Sequence, residues 1–219
     1  MINIHNKDCL EAIKKMRDNE YDLAIVDPPY GIDHANKAGK AAGQQYGNAA
    51  AKKRNYKSKD WDIEIPSLEY FNELKRVSKN QIIFGGNYFA HLLIPTSGWI
   101  FWDKDNGTNN FSDGELAYTS FNCGLRMKKI TWNGMIQYDM KNKEDRFHPT
   151  QKPIRLYEWI LMNYAKEGDT ILDTHLGSGS IAIACSNLGF ELEGYELDTE
   201  YYKAALKRLK QHTDQIRLF

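Results

Sequence analysis

Asp27, Pro28, Pro29 and Tyr30 place a carboxylate, two rigid residues and an aromatic ring in consecutive positions, directly after the apolar run Leu23 to Val26. The prolines remove two backbone donors and fix two φ angles, so the turn is stiff and its carbonyls lack a strand partner. An acid, a free carbonyl and a ring in one fixed arrangement could hold the exocyclic amino group of a flat base and stack on its face. An ordinary strand-ending turn uses the same residue types for local reasons. The tetrapeptide alone divides evenly between the two readings.

A second segment with chemical potential runs Asp173 Thr174 His175 Leu176 Gly177 Ser178 Gly179 Ser180, after the apolar residues Ile171 and Leu172. A strand that ends in an acid and passes through a glycine turn into a helix lets a ligand approach the backbone and meet free N–H groups. The next strand ends in Gly194 Tyr195 Glu196 Leu197 Asp198. An acid there can hold a ribose diol; Glu196 is the candidate, and Asp198 suits the cap of the following helix. Tight helix–strand packing would also account for the glycines. A dinucleotide-dependent hydride-transfer enzyme fits less well, because the three-glycine fingerprint is incomplete and the turn lies late in the chain. A third segment, His148 Pro149 Thr150 Gln151 Lys152 Pro153, is a proline-bounded loop leading into a helix.

The elements that must position these segments follow from periodicity. Ile2 to His5 reads as a strand, and Asp8 stands at the N-cap of a helix with Leu10, Ile13 and Met16 on one face. Further along, a helix is predicted over 67–77, strands over 81–84, 99–102, 115–121 and 129–137, and a short helix over 87–93. Pro153 suits the first turn of a helix running to about Ala165. A strand over 170–172, a helix over 179–188, a strand over 190–195 and a helix over 199–211 complete the order. Strands alternating with helices imply an α/β fold with a mainly parallel sheet covered on both faces. One domain over 1–219 with insertions is expected.

Composition narrows the class. The chain has 219 residues and a formal net charge of zero, so overall charge gives no sign of a nucleic-acid partner. Its distribution does: from His34 to Lys59 there is no acid, while Lys37, Lys40, Lys52, Lys53, Arg54, Lys57 and Lys59 are basic. The segment 31–60 has almost no large aliphatic residue after Ile32 and reads as a long mobile loop. Cys9, Cys123 and Cys185 are isolated and fit a reduced, cytoplasmic protein. No apolar run approaches the roughly 18 residues of a membrane span, and no membrane partner is expected.

The acid-Pro-Pro-Tyr turn, the His-Pro-Thr-Gln-Lys-Pro loop, the Gly-Ser-Gly turn and the strand ending at Glu196 stand in an order that resembles the beta group of DNA amino-methyltransferases. These enzymes use S-adenosylmethionine to methylate adenine N6 or cytosine N4. The resemblance spans nearly the whole chain, including Asp8 Cys9 Leu10 and Ser112 to Tyr118. It implies a circularly permuted, Rossmann-like S-adenosylmethionine-dependent methyltransferase fold. It also implies catalytic roles for Asp27, Pro28, Pro29 and Tyr30, with Asp27 and the Pro28 carbonyl orienting the amino group and Tyr30 stacking on a base flipped out of double-stranded DNA. Cofactor contacts are implied for Asp8, at the adenine end, for Glu196, at the ribose, and for His148 and Thr150, near the methionine portion. Asp27, Asp173, Gly177, Ser178 and Gly179 complete that set. His175 departs from the family, which usually has Asp-Pro-Phe where this chain has Asp173 Thr174 His175, and is expected to serve as a flat packing surface there. No metal is required.

Lys52, Lys53, Arg54 and Lys57 are placed to touch phosphates, and 122–146, with Arg126, Lys128 and Lys129, occupies the target-recognition position. That segment is short, so a homodimer is among the expectations. Adenine N6 is the expected target because Asp rather than Ser opens the turn; cytosine N4 and an inactive DNA- or cofactor-binding module are the alternatives. The small size fits a solitary or phage-type enzyme, and a restriction partner stays open.

Overall fold

The computed structural model describes residues 1–33, 62–107, 112–133 and 136–216. Its centre is an eight-stranded sheet in the order β1-β10-β9-β2-β3-β5-β4-β6. The strands are β1 (Ile2–His5), β2 (Tyr21–Val26), β3 (Ser78–Phe84), β4 (Trp99–Asp103), β5 (Gly114–Thr119), β6 (Arg126–Lys129), β9 (Thr170–Asp173) and β10 (Glu191–Tyr195). Only β5 runs against its neighbours β3 and β4; the other pairings are parallel. A two-stranded ribbon, β7 (Trp132–Asn133) and β8 (Ile136–Gln137), lies apart from the sheet.

Five helices accompany the strands among the described residues: α1 (Cys9–Ile13), α2 (Leu68–Val77), α3 (Ile154–Tyr164), α4 (Ser180–Leu188) and α5 (Thr199–Ile216). Leu23 to Val26 are all buried, as a central parallel strand requires. Successive side chains point to opposite faces, and the run divides accordingly. Leu23 and Ile25 join Leu156, Ile160, Ile181 and Ala184 of α3 and α4, whereas Ala24 and Val26 join Ile13, Phe71, Leu74 and Val77 of α1 and α2. The sheet is therefore covered on both faces.

The chain runs outward in one direction from β9 through β10 and in the other from β2 through β3, so the order reverses between β9 and β2. Ligands of open α/β sheets bind beyond the strand ends at such a reversal. Because β1 and β2 precede β9 in sequence yet flank the β9–β10 pair in space, the sheet is the permuted form that the motif order implied.

Two predicted elements differ. Residues 87–93 form successive turns rather than a helix, with Tyr88 N–H donating to the Gly85 carbonyl and Phe89 N–H to that of Gly86. The strand predicted over 129–137 is instead β6, ending at Lys129, followed by the β7–β8 ribbon. Most of the basic loop, residues 34–60, lies outside the described residues, and with it Lys52, Lys53, Arg54 and Lys57. Among the described residues no helix is long and apolar enough to cross a membrane.

Candidate active site

Asp27 lies just beyond the end of β2 and Asp173 at the end of the adjacent β9. Glu196 follows β10, and Asp8 caps α1 just beyond β1, accepting from Glu11 N–H at 3.1 Å. Four acids thus line one edge of four neighbouring parallel strands.

The Tyr30 hydroxyl donates to Asp27 Oδ1 at 2.7 Å, and the Lys152 ammonium pairs with Asp27 Oδ2. Lys152 Nζ also stands 3.3 Å from Glu115 Oε2 and 3.3 Å from the Tyr30 hydroxyl, while Lys104 takes the other oxygen of Glu115 at 2.5 Å. The Lys152 side chain is 2% exposed, against 16% for Asp27, so the carboxylate is the more accessible partner of the pair. Burial pushes the Asp27 carboxyl up from its ordinary range and Lys152 opposes the shift. Burial alone would also raise Glu115, but Lys152 and Lys104 together bring it down to about 2.

The Tyr30 backbone N–H donates to Asp62 Oδ1 at 2.8 Å, which ties the turn to the start of the next described segment. The Tyr30 ring stacks on Tyr88 at 5.0 Å between centroids and 15° between planes, with Phe89 on its edge at 6.1 Å. Gly85, with φ of +67°, lets the ring approach: a Cβ at that position would lie 2.2 Å from it. One face of the Tyr30 ring is therefore in contact with Tyr88.

On the other side of the reversal, Gly177 N–H donates to Glu196 Oε2 and Asp198 N–H to Glu196 Oε1, both at 2.8 Å. Glu196 thus joins the glycine turn to the end of β10. Gly179, at φ of +71°, caps α4 from the left-handed region. The His148 ring sits against Gly177 and edge-on to Tyr201 at 4.3 Å, with Nδ1 3.1 Å from the Thr150 hydroxyl. Ser180 donates to the Lys152 carbonyl at 2.7 Å. The His148–Pro153 loop and the glycine turn are therefore packed together, although well separated in sequence from Asp27.

His175 is partly buried. Its Nδ1 lies 2.9 Å from the Thr174 hydroxyl, which is 2.6 Å from the Tyr70 hydroxyl; Nε2 lies 3.9 Å from Cys9 Sγ. Tyr70 meets the imidazole edge-on at 5.4 Å. Burial pushes its pKa down to about 4, with Asp8 opposing, so the ring is neutral at pH 7. Asp173 is pushed up to about 8 by burial, against the hydrogen bond it accepts from His175 N–H at 2.9 Å.

Arg126, Lys128 and Lys129 stand apart from this cluster. They lie on β6, four strand spacings from β2, or about 19 Å at the usual separation. Lys129 pairs with Asp105 at 2.5 Å, and Lys128 lies over the Trp159 ring. Sequence reasoning assigned no role to Glu115, Lys152, Gly85 or Tyr88. Lys152 and Glu115 both belong to segments that carried the resemblance, and that is the signal that could have found them.

The matching family model, described as DNA methylase of the N6/N4 type, covers residues 124–207. The type II methyltransferase M2.DpnII of Streptococcus pneumoniae is 26% identical over 98% of this chain and 91% of its own length. M.HpaI of Haemophilus parainfluenzae is 27% identical over 91% of this chain and 71% of its own. Among solved structures, the M1.HpyAVI–SAM complex superposes with a TM-score of 0.58 at 22% identity, over 95% of this chain and all of that one. The cytosine-N4-specific PvuII DNA methyltransferase superposes with a TM-score of 0.61 at 12% identity, over 97% and 90%.

The fold is that of S-adenosylmethionine-dependent methyltransferases. Within that class the chain is similar to DNA amino-methyltransferases of the N6/N4 type, and its cofactor is S-adenosylmethionine. The donor set suits that cofactor: carboxylates at neighbouring strand ends match a ribose diol and a cation, and the glycine turn lets a ligand approach the backbone.

Proposed function

We propose that the protein methylates adenine N6 in double-stranded DNA, with Asp27, Pro28, Pro29 and Tyr30 forming the catalytic turn of one methyltransferase domain. The observation that carries this reading is the position of the Asp27 carboxylate, just beyond the strand end at the sheet reversal and paired there with the buried Lys152. An aspartate at the head of this turn, rather than the serine found in family members that lean toward cytosine, supports adenine.

When bound, S-adenosylmethionine supplies a methyl group activated by its sulfonium. The chain's own task is alignment. Asp27 accepts one N–H of the amino group and the Pro28 carbonyl the other, which draws the nitrogen toward a tetrahedral geometry with its lone pair facing the donor. Tyr30 stacks on a base that has left the duplex, at a cost of a few kcal/mol, and exchanges its contact with Tyr88 for the base. The departing proton passes to Asp27 or to water. Asp8, His148, Thr150, Asp173, His175, Gly177, Ser178, Gly179 and Glu196 hold the cofactor. Lys52, Lys53, Arg54 and Lys57 contact phosphates, and the 122–146 segment, with Arg126, Lys128 and Lys129, reads the site with help from a second subunit.

Incubating the protein with labelled S-adenosylmethionine and unmethylated genomic DNA, then analysing nucleosides by mass spectrometry, tests the reading. N6-methyldeoxyadenosine is expected. N4-methyldeoxycytidine would transfer the same chemistry to the other base, and binding without any methylated product would make the chain a non-catalytic module.

A further inference from the structure

Lysine is almost never fully buried unless paired, and Lys152 is both buried and paired to the candidate catalytic carboxylate. Its ammonium carries three N–H donors and has three oxygens within reach: Asp27 Oδ2, Glu115 Oε2 and the Tyr30 hydroxyl. The Phe84 ring lies 4.5 Å from Nζ. Such a cation has little freedom to turn, so it fixes the carboxylate it holds.

We propose that Lys152 and Glu115 form a charge-compensated clamp in which Lys152 positions the Asp27 carboxylate for the amino group and Glu115 cancels the charge that Lys152 would otherwise place there. This rests on the reading of Asp27 as the acceptor of the amino group. The charges alternate along one line: Lys104, Glu115, Lys152, Asp27. With Glu115 and Lys152 neutral as a pair, Asp27 keeps its negative charge for the cleft. Without Glu115, Lys152 would neutralise Asp27 and weaken its hold on an amino N–H. Without Lys152, two carboxylates would share one pocket, and the more buried would take up a proton. A protonated carboxyl offers a donor where an acceptor is needed.

Stability alone is a poor reason for the arrangement, because buried ion pairs are costly to desolvate. The groups facing Asp27 come from every element around it: Tyr30 on its own turn, Glu115 of β5, Lys152 before α3, Tyr157 of α3 and Asp173 of β9, with Lys104 acting through Glu115. Of these, Lys152 is the cation in direct contact with the Asp27 carboxylate.

The test compares kcat against pH from 5.5 to 9.5 for the wild type, Lys152→Met, Glu115→Gln and the double variant, with cofactor Kd measured by calorimetry and Asp27→Ala as a control. In Lys152→Met, kcat at pH 7 should fall about 30-fold or more, with cofactor Kd within about threefold of wild type. Its acidic limb should move up by more than about one pH unit, the scale expected for losing an opposite charge in contact, so that activity partly recovers with rising pH. Adding Glu115→Gln should bring the limb back down. A loss equal at every pH, no loss, or a limb that ignores the second substitution overturns the clamp. Should Lys152→Met not fold, Glu115→Gln alone must lower both the plateau and the limb, and an unmoved limb overturns the proposal. Retained activity in Asp27→Ala would instead overturn the reading of Asp27 itself.

Discussion

Arg208 on α5 reaches Glu144, in the segment before the His148–Pro153 loop, at 2.6 Å, and its other terminal nitrogen donates to the Ser178 carbonyl at 3.0 Å and the Ser180 hydroxyl at 2.8 Å. The pair is largely buried, and Glu144 Oε1 also accepts from Ile154 N–H at the start of α3. One guanidinium therefore joins the glycine turn to two other segments. Arg208→Met leaves Glu144 buried without its cation, a loss of about 3 kcal/mol for a pair of this kind. Cofactor Kd should rise about tenfold, or ~1.4 kcal/mol. Urea unfolding and calorimetry check both; an unchanged Kd would separate this pair from the cofactor loop.

Gly85→Ala tests the seat of Tyr30. Its φ of +67° already disfavours a side chain, and the added carbon would meet the Tyr30 ring at 2.2 Å. The ring must move or the strand end must shift, at about 2 kcal/mol or more. Turnover should fall more than tenfold while cofactor binding, on the other side of the reversal, stays within about threefold.

Tyr30→Ala should weaken catalysis far more than cofactor binding, because the ring contacts Tyr88, Phe89 and Gly85 rather than the glycine turn. Turnover equal to wild type at saturating substrates would remove Tyr30 from the base-stacking role. Tyr30→Phe isolates the hydroxyl, which holds Asp27 at 2.7 Å, and should lose less than the alanine variant.

The sheet was legible because apolar runs such as Leu23 to Val26 and Ile171 to Leu172 are bounded by polar turns, and the acids at the strand ends stood out for the same reason. Lys152 was not: in sequence it is a loop lysine, and only the packing of its loop against α4 buries it beside Asp27. Glu115 depends on β5 pairing antiparallel with β3, a long-range choice that no local pattern specifies. The turns after Phe84 carry helix-compatible residues, but Gly85 and Gly86 sit at the strand end and close by bonds between residues three apart. The β7–β8 ribbon is too short for alternation to be visible.

Replacing Lys52, Lys53, Arg54 and Lys57 together with Gln should weaken DNA binding at low salt and flatten its salt dependence. Each phosphate contact contributes about 0.9 to the slope of log K against log salt, so four contacts would lower its magnitude by about 3 to 4. The measurement is fluorescence anisotropy with duplex DNA between 50 and 300 mM salt, concentrations of the order over which such slopes are resolved. An unchanged slope would remove these residues from the phosphate-contacting set.

His175 supplies a pH dependence that can be isolated by restoring the residue usual in the family. Burial holds the folded imidazole at about 4, whereas an unfolded histidine titrates near 6.5. Between those values the unfolded chain binds a proton that the folded chain does not, so stability falls as pH drops from about 6.5 toward 4. The full loss is about 3 kcal/mol. Asp173, raised to about 8 by burial, acts with the opposite sign: its folded form keeps a proton that the unfolded form releases, and stability falls as pH rises toward 8. Because the Asp173 contact uses the His175 backbone N–H, His175→Phe leaves it in place and removes only the imidazole. Urea melts of both proteins at pH 7.0, 5.5 and 4.5 should therefore converge or cross as pH falls, with the Phe variant gaining on the wild type by about 2 to 3 kcal/mol over that interval. Parallel curves would mean that the folded imidazole takes up its proton as readily as the unfolded one, and that it does not stand neutral against Tyr70 and Cys9 beside the glycine turn.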